Sequence, residues 1–99
     1  MKKNRNKKIT NKIRSTIADE YEDIPLLFMD PSTDFDNAIV GICSGFGLEP
    51  KVAYDYDKVI KANMKNGMSY EEAEEYFDYN QIGAYVGEHT PVFIRKIQK

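Results

Sequence analysis

One short motif, a helix capping box, constrains the fold of this chain more than any other feature. Ser69 stands three residues before Glu72, so its hydroxyl and the glutamate carboxylate can each accept a backbone N–H group at the start of a helix. Further residues recur at helical spacing and are expected to face the core: Ala73, Tyr76 and Phe77. The motif therefore predicts a helix over residues 70–80.

A second helix is predicted immediately before the first one. Asp55 is a suitable N-cap because its carboxylate can accept unpaired backbone N–H groups. Asp57 falls in the first turn, where the helix dipole favours a negative charge. The Asn66-Gly67 pair is expected to end this helix, because glycine tolerates the left-handed conformation that closes many helices.

Apolar side chains also recur at every fourth position near the start of the chain, at Ile9, Ile13, Ile17 and Tyr21. This spacing predicts an amphipathic helix over residues 10–22. Pro25 should end that helix, since the residue before a proline disfavours helical geometry. The apolar residues 26–29 that follow are expected to form either a short strand or a docking segment.

Three further segments predict strands. Residues 38–43 read as a buried strand, residues 51–54 as a second strand joined to it by a loop over residues 44–50, and residues 91–97 as a final strand. A chain of 99 residues can bury one modest core. The order helix, strand, strand, helix, helix, strand predicts a small single α+β domain. We expect a mostly antiparallel sheet of about three strands covered by two or three helices.

The net charge of −2 conceals a strong asymmetry along the chain. Residues 1–14 contain basic residues and no acidic one, whereas residues 15–90 contain all 16 acidic residues. We therefore expect a basic, disordered arm over residues 1–14 and a single acidic domain over residues 15–99. Such an arm can contact nucleic-acid phosphates, or it can be only a solvated terminus. The candidate nucleic-acid-binding residues are Lys2, Lys3, Arg5, Lys7, Lys8, Lys12 and Arg14.

The helix predicted over residues 70–80 carries a dense cluster of negative charge. Its carboxylates can complement a basic groove on a partner macromolecule, or they can form a solvated face that aids solubility. Tyrosines are numerous in the same region, and tyrosine is enriched at protein interfaces. The candidate partner-binding residues are Glu71, Glu72, Glu74, Glu75 and Asp78.

Two Asp-x-Asp pairs are the sharpest candidates for catalysis: Asp34 with Asp36, and Asp55 with Asp57. Carboxylates from both pairs could bind Mg²⁺ or Mn²⁺ in a metal-dependent phosphoesterase. Lys58 or His89 would then organise the attacking water. The competing interpretation assigns the second pair to helix capping and the first to a loop.

The remaining reactive residues match no catalytic pattern. Cys43 is the single cysteine, so no intrachain disulfide can form and a reducing compartment is expected. We expect Cys43 to be a small hydrophobic residue of a buried strand and His89 to be a hydrogen-bonding loop residue. Gly45 and Gly47 lack the third glycine of a dinucleotide-binding fingerprint and are assigned to the hairpin loop. Since no apolar leader or membrane span is recognisable, a cytoplasmic protein without membrane contact is expected.

Four strings in the chain are more specific than its composition: DFDNAIVG, YDYDK, GMSYEEAEEYFDYN and GAYVGEHTPVF. The region that contains them covers about 60 of the 99 residues and resembles a family of short, uncharacterised proteins encoded by bacteriophages and related mobile elements. The resemblance implies a phage setting and no particular chemistry. Small phage proteins without enzyme motifs often act by binding host proteins, including defence nucleases and polymerases.

These observations predict a small, non-enzymatic accessory protein of the host-cell cytoplasm. It would bind and modulate, most simply inhibit, a host macromolecule such as a defence or nucleic-acid-processing protein. No cofactor and no metal ion is expected. Two alternatives stay open at this stage, namely a nucleic-acid-associated protein that uses the basic arm and a metal-dependent phosphoesterase.

Overall fold

The computed structural model describes residues 12–97. Within that range, four helices and three strands form an α+β domain, which confirms the predicted fold class. A 3₁₀ turn follows α2 and a π-helical turn follows α4, at Asp36–Ala38 and Phe77–Gln81. The elements in chain order are α1 (residues 12–20), α2 (Ser32–Phe35), β1 (Ile39–Gly45), β2 (Leu48–Asp55), α3 (Tyr56–Lys65), α4 (Tyr70–Tyr76) and β3 (Val92–Ile94).

The hairpin of β1 and β2 is tighter than the sequence predicts. The two strands pair antiparallel and are joined by the two-residue turn Phe46-Gly47. Gly47 has a φ of 75°, a conformation that favours glycine and lets so short a turn close. Pairing therefore continues to Gly45 opposite Leu48, so strand residues occupy most of the loop predicted over residues 44–50.

The third strand makes the sheet mixed. The strand order is β1-β2-β3, and β3 runs parallel to β2, with Ala53 opposite Val92 and Asp55 opposite Ile94. The reason is the long connection between β2 and β3, which contains α3 and α4. A crossover of this kind can carry the chain back to the end of the sheet at which β2 begins, which a short hairpin cannot do. Strand β3 covers only Val92–Ile94, so it is shorter than the strand predicted over residues 91–97.

The C-terminal half of β2 and the π-helical turn form the centre of the core. Val52 and Tyr54 in β2 are fully buried, and Phe77 in the π-helical turn is 1% exposed. The Phe77 ring lies edge-on to Tyr56 and to Phe93, with ring centroids 5.0 and 4.8 Å apart. These contacts hold β2, α3, the π-helical turn and β3 together, since edge-to-face aromatic pairs are favourable packing arrangements.

Residues 26–29 pack on the core as an irregular segment, so the strand considered for them is absent. The Met29 backbone N–H donates a hydrogen bond of 2.7 Å to the Tyr54 hydroxyl oxygen. This bond satisfies a polar group at the end of a fully buried side chain. Burial raises the pKa of Tyr54 to about 12, so the neutral phenol is the form that the fold favours.

Arg14 and Ile17 join helix α1 to the domain. Arg14 Nη2 lies 2.7 Å from Asp36 Oδ1, and Ile17 is buried in the core. Residues 12–14 therefore belong to a helix that packs on the domain, and the boundary expected after residue 14 lies inside α1. The rest of the predicted arm, residues 1–11, lies outside the described residues.

Candidate functional site

Helix α4 begins at the predicted capping box. The Ser69 hydroxyl accepts a hydrogen bond from the Glu72 backbone N–H at 3.2 Å, and the Glu72 carboxylate accepts one from the Ser69 N–H at 2.8 Å. Ala73 and Phe77 lie one turn apart and are both buried, so they fasten this helix to the core. The capping box thus fixes where the acidic residues of α4 begin, and the buried pair fixes which way they face.

The structure divides the five predicted partner-binding residues into two groups. Glu72 belongs to the capping box, and Glu74 is half-buried with Oε2 accepting a hydrogen bond of 3.0 Å from the Tyr56 hydroxyl. Glu71, Glu75 and Asp78 are exposed and have no hydrogen-bond or ion-pair partner among residues 12–97. Of the five predicted residues, these three are therefore the ones whose carboxylates are free to meet a partner.

Glu74 instead organises the tyrosines at the junction of α3 and α4. Burial raises the pKa of Tyr56, and the hydrogen bond to the Glu74 carboxylate raises it further. Glu74 also raises the pKa of Tyr70, first by hydrogen bonding and then by its charge. The Arg95 guanidinium lies 3.8 Å from the centre of the Tyr56 ring, which is cation–π geometry. Glu74 is thus a structural residue of this junction.

Two exposed tyrosines lie beside the free carboxylates. Tyr76 is 41% exposed and Tyr79 is 79% exposed, and both line a shallow groove with Glu72 and Glu75. The prediction that Tyr76 faces inward is wrong. Its neighbour Phe77 takes the inward position, and adjacent residues of a helix point about 100° apart. We call the surface formed by Glu71, Glu75, Tyr76, Asp78 and Tyr79 the acidic–tyrosine face.

The Asp34 and Asp36 pair is engaged in contacts within the fold. Asp36 is 1% exposed, and both of its carboxylate oxygens accept hydrogen bonds from Arg14. Asp34 Oδ2 accepts a hydrogen bond of 3.0 Å from Asn66 Nδ2. Each carboxylate therefore has a different neighbour and a structural contact of its own.

The second pair differs from its prediction in one respect. Asp55 is the N-cap residue of α3, but its side chain makes no capping hydrogen bond. It is 5% exposed, and its Oδ1 atom is buried without a hydrogen-bond partner in the described structure. Asp57 is exposed in the first turn of α3, as expected. Across residues 12–97, no three His, Cys, Asp or Glu side chains cluster in a way that could hold a metal ion.

The structure separates the predicted nucleic-acid-binding residues. Arg14 is bound to Asp36, donates from Nη2 to the Met29 carbonyl at 2.9 Å and lies 4.4 Å from the centre of the Phe28 ring. Arg14 is therefore a structural cation of this domain. Lys12 lies in α1 and is exposed. Outside the described residues lie Lys2, Lys3, Arg5, Lys7 and Lys8.

Three further residues, His89, Cys43 and Phe46, lie in the β1–β2 hairpin or contact it. His89 Nδ1 is 2.8 Å from the Pro50 carbonyl oxygen, and Nε2 is 3.8 Å from Glu49 Oε1, so the ring ties the last loop to β2. Cys43 is half-buried in β1, less buried than predicted. Phe46 at the hairpin tip is fully exposed, which a position between two glycines could have suggested.

One cleft was not predicted from the sequence. It has a volume of about 390 Å³ and is lined by Phe35 and Phe93 together with Asn63 and Gln81. The two amides exchange hydrogen bonds of 2.9 and 3.2 Å, which explains how Asn63 can be almost completely buried. No local sequence pattern pairs these residues, because they lie 18 positions apart on different elements.

A basic surface on α3 was also missed. Lys58, for which the sequence suggests only a role in water activation, lines a groove of about 640 Å³ with Lys61 and Lys65. The spacing of these lysines places them on one helical face and was the signal available in the sequence. The excess of acidic residues over residues 15–90 as a whole conceals that pattern.

No protein-family model matches the chain, and no curated protein or solved structure matches it either. Among the residues whose placement is described, no helix has the length and apolar character needed to cross a membrane. The resemblance to phage-encoded proteins therefore stays a prediction from the four sequence strings.

Proposed function

We propose that this chain is a non-enzymatic binding protein that uses the acidic–tyrosine face to occupy a basic surface on a host macromolecule. Occupying that surface would block the target's own ligand, so inhibition is the expected outcome. A defence protein or a nucleic-acid-processing protein fits, because such proteins present basic grooves to nucleic acid. The phage or mobile-element setting rests on the sequence resemblance.

One observation carries this proposal, namely that three exposed carboxylates, without partners among residues 12–97, lie beside two exposed tyrosines. Glu71, Glu75 and Asp78 have no cation within ion-pair distance among the described residues, so their charge is available to attract a basic partner. Tyr76 and Tyr79 add large side chains that combine apolar rings with hydroxyl groups. Tyrosine is enriched among the residues that dominate binding energy at interfaces.

The acidic–tyrosine face is held on rigid supports. The capping box fixes the start of α4, and the buried side chains of Ala73 and Phe77 fix its orientation. The hydrogen bond between Glu74 and Tyr56 ties α4 to α3. A surface held in place before binding loses less conformational entropy in the complex, which favours affinity.

The test is a pull-down with the tagged full chain from a bacterial lysate treated with nuclease, followed by mass spectrometry and titration of the captured protein. The variant E71Q/E75Q/D78N removes the three free charges and keeps the side-chain shapes. The matched control E20Q/E22Q/D23N removes three exposed acidic charges at the end of α1.

We expect one stoichiometric protein partner for the wild type and for the control, and at least about a tenfold loss of its affinity in E71Q/E75Q/D78N. The affinity of the wild type should also fall as salt is raised, because free charges are screened. A partner that binds both triple variants equally would contradict the assignment of this face. Loss of every captured protein on nuclease treatment would contradict the protein-binding function.

A further inference from the structure

Three lysines of α3 form a linear basic array. Lys58, Lys61 and Lys65 occupy positions i, i+3 and i+7, so they project within about 60° of one another and span about 10 Å along the helix axis. All three are exposed and line the same groove of about 640 Å³. We call this surface the lysine groove.

The lysine groove keeps its positive charge. None of its lysines makes a hydrogen bond or an ion pair with any residue between 12 and 97. Asp34 is the carboxylate that lines the groove, and its Oδ2 accepts a hydrogen bond from Asn66. Three cations thus face a single carboxylate, and the local charge is opposite to that of the domain.

The other residues of the groove are small and uncharged. Thr33, Asn37, Ala38 and Ala62 complete much of its lining. The groove offers no large apolar side chain that could insert into a membrane and no aromatic ring on which a nucleobase could stack. Its chemistry therefore favours contacts with phosphate and sugar over contacts with bases.

The position of α1 adds to this argument. Arg14 holds α1 against Asp36, and Asp36 directly precedes Asn37 and Ala38, which line the groove. The described chain begins two residues before Arg14, and five further basic residues precede it in the sequence. Arg14 thus ties α1 to the 3₁₀ turn that supplies two residues of the groove lining.

We infer that the lysine groove binds the phosphate backbone of a nucleic-acid strand, independently of base sequence and separately from the acidic–tyrosine face. Three lysines over about 10 Å can contact two or three successive phosphates, and no aromatic ring lines the groove to stack on a base. Binding of this type is weak, with dissociation constants of about 10⁻⁶ to 10⁻⁴ M near physiological salt.

The test is fluorescence anisotropy with a labelled single strand of about 12 nucleotides and with the corresponding duplex, at salt concentrations between about 50 and 200 mM. The variant K58Q/K61Q/K65Q is compared with the full wild-type chain. K51Q/R95Q/K96Q is the matched control, since it also removes three positive charges but lies outside the groove. Thermal unfolding checks that each variant folds, and the single variant K61Q gives a second, milder perturbation.

We expect the wild type and the control to bind, and K58Q/K61Q/K65Q to lose at least about tenfold in affinity at low salt. The slope of log affinity against log salt should fall by about 2 for the single strand, since each neutralised phosphate contributes about 0.7. K61Q should produce about a third of that decrease in slope, since it removes one of the three lysines. The comparison of single strand and duplex shows which form supplies the phosphates.

Three outcomes would overturn the inference. The first is a wild type that does not bind either oligonucleotide at low salt. The second is unchanged affinity and slope in K58Q/K61Q/K65Q while K2Q/K3Q/R5Q/K7Q/K8Q abolishes binding, which would assign all phosphate contacts to the basic segment. The third is equal affinity of the wild type for labelled polyglutamate, or salt-sensitive self-association in sedimentation, which would make the groove a general site for acidic protein surfaces.

Discussion

Helices α3 and α4 are neighbours in sequence and pack against each other, yet they carry opposite charges to solvent. On α4 and the π-helical turn that follows it, five acidic residues lie within eight positions, but two of them are engaged in the fold and three stay free of partners among residues 12–97. On α3, three lysines are spread over eight positions and all stay free among the described residues. The dense acidic cluster therefore offers no more free charges to a partner than the three more widely spaced lysines of α3.

This comparison shows that charge density in a sequence is a poor measure of charge available for binding. A carboxylate that caps a helix or receives a tyrosine hydroxyl contributes to folding and is held in place. A charged side chain with no partner contributes little to folding, and its charge remains available to attract a binding partner. Substitutions of engaged charges should therefore destabilise the fold, and substitutions of free charges should not.

The largest expected effect concerns a charge that is fully engaged. Asp36→Asn removes the buried partner of Arg14 and leaves a partly buried guanidinium without its carboxylate. Breaking one partner of such a pair costs about 3 kcal/mol of unfolding free energy. Urea denaturation measures this loss, and Glu75→Gln on the acidic–tyrosine face is the control with no expected change. Equal midpoints for the two variants would remove the distinction between engaged and free carboxylates.

Tyr56→Phe sharpens the comparison at the junction of the two helices. It removes the hydroxyl that donates to Glu74, at a cost of about 1 kcal/mol. The raised pKa of Tyr56 means that the folded state holds the phenol proton more tightly than the unfolded state. Its contribution is therefore complete below about pH 10, the ordinary tyrosine pKa, and is lost as the pH rises above that value.

The measurement for Tyr56 is the unfolding free energy of wild type and Tyr56→Phe between neutral pH and strongly alkaline pH. The difference between the two proteins should shrink above about pH 10. Tyr54 titrates in both proteins and cancels in the difference. A difference that stays constant across this range would show that the bond to Glu74 does not depend on the phenol proton.

Ser69→Ala tests the other engaged residue of α4. The substitution breaks the capping box with Glu72 and should cost about 1 kcal/mol, at the low end for an exposed helix start. Ser15→Ala, an exposed substitution inside α1, is the control and should not destabilise the protein. Chemical denaturation compares both variants with the wild type. If Ser69→Ala leaves the midpoint unchanged, the capping box does not anchor the acidic–tyrosine face.

The smallest effect is expected for the free lysines. K58Q/K61Q/K65Q should unfold at nearly the same urea concentration as the wild type, because these side chains make no hydrogen bond or ion pair with the residues that the structure describes. A small loss is expected from Lys65, whose charge lies in the last turn of α3 and complements the helix dipole. A large destabilisation would mean that the lysine groove serves the fold and would remove the basis of the phosphate inference.

Local patterns in the sequence predicted the elements well where the cause is local. The capping box, the Asn66-Gly67 stop and the β-branched strand each depend on neighbours within a few residues, and each lies close to its predicted place. The parallel pairing of β3 was not predictable in this way, because it depends on the path of two helices between the strands. The tightness of the hairpin depends on the single conformation of Gly47.

The candidate site was predictable in location but not in composition. Spacing alone identified the acidic helix, but it could not show that Glu74 reaches Tyr56 across 18 positions. For the same reason Arg14 was grouped with the basic segment, since its partner Asp36 is 22 positions away. Such pairings depend on tertiary packing, which a pattern of neighbouring residues does not contain.

The most direct test of the central claim is to titrate three proteins with two charged probes. The proteins are the wild type, E71Q/E75Q/D78N and K58Q/K61Q/K65Q, and the probes are a labelled arginine-rich peptide and a labelled single-stranded oligonucleotide. If α3 and α4 present separate binding surfaces, the acidic variant loses affinity for the peptide alone and the lysine variant loses affinity for the oligonucleotide alone. Loss of both affinities in one variant, or of neither affinity in both, would contradict the account.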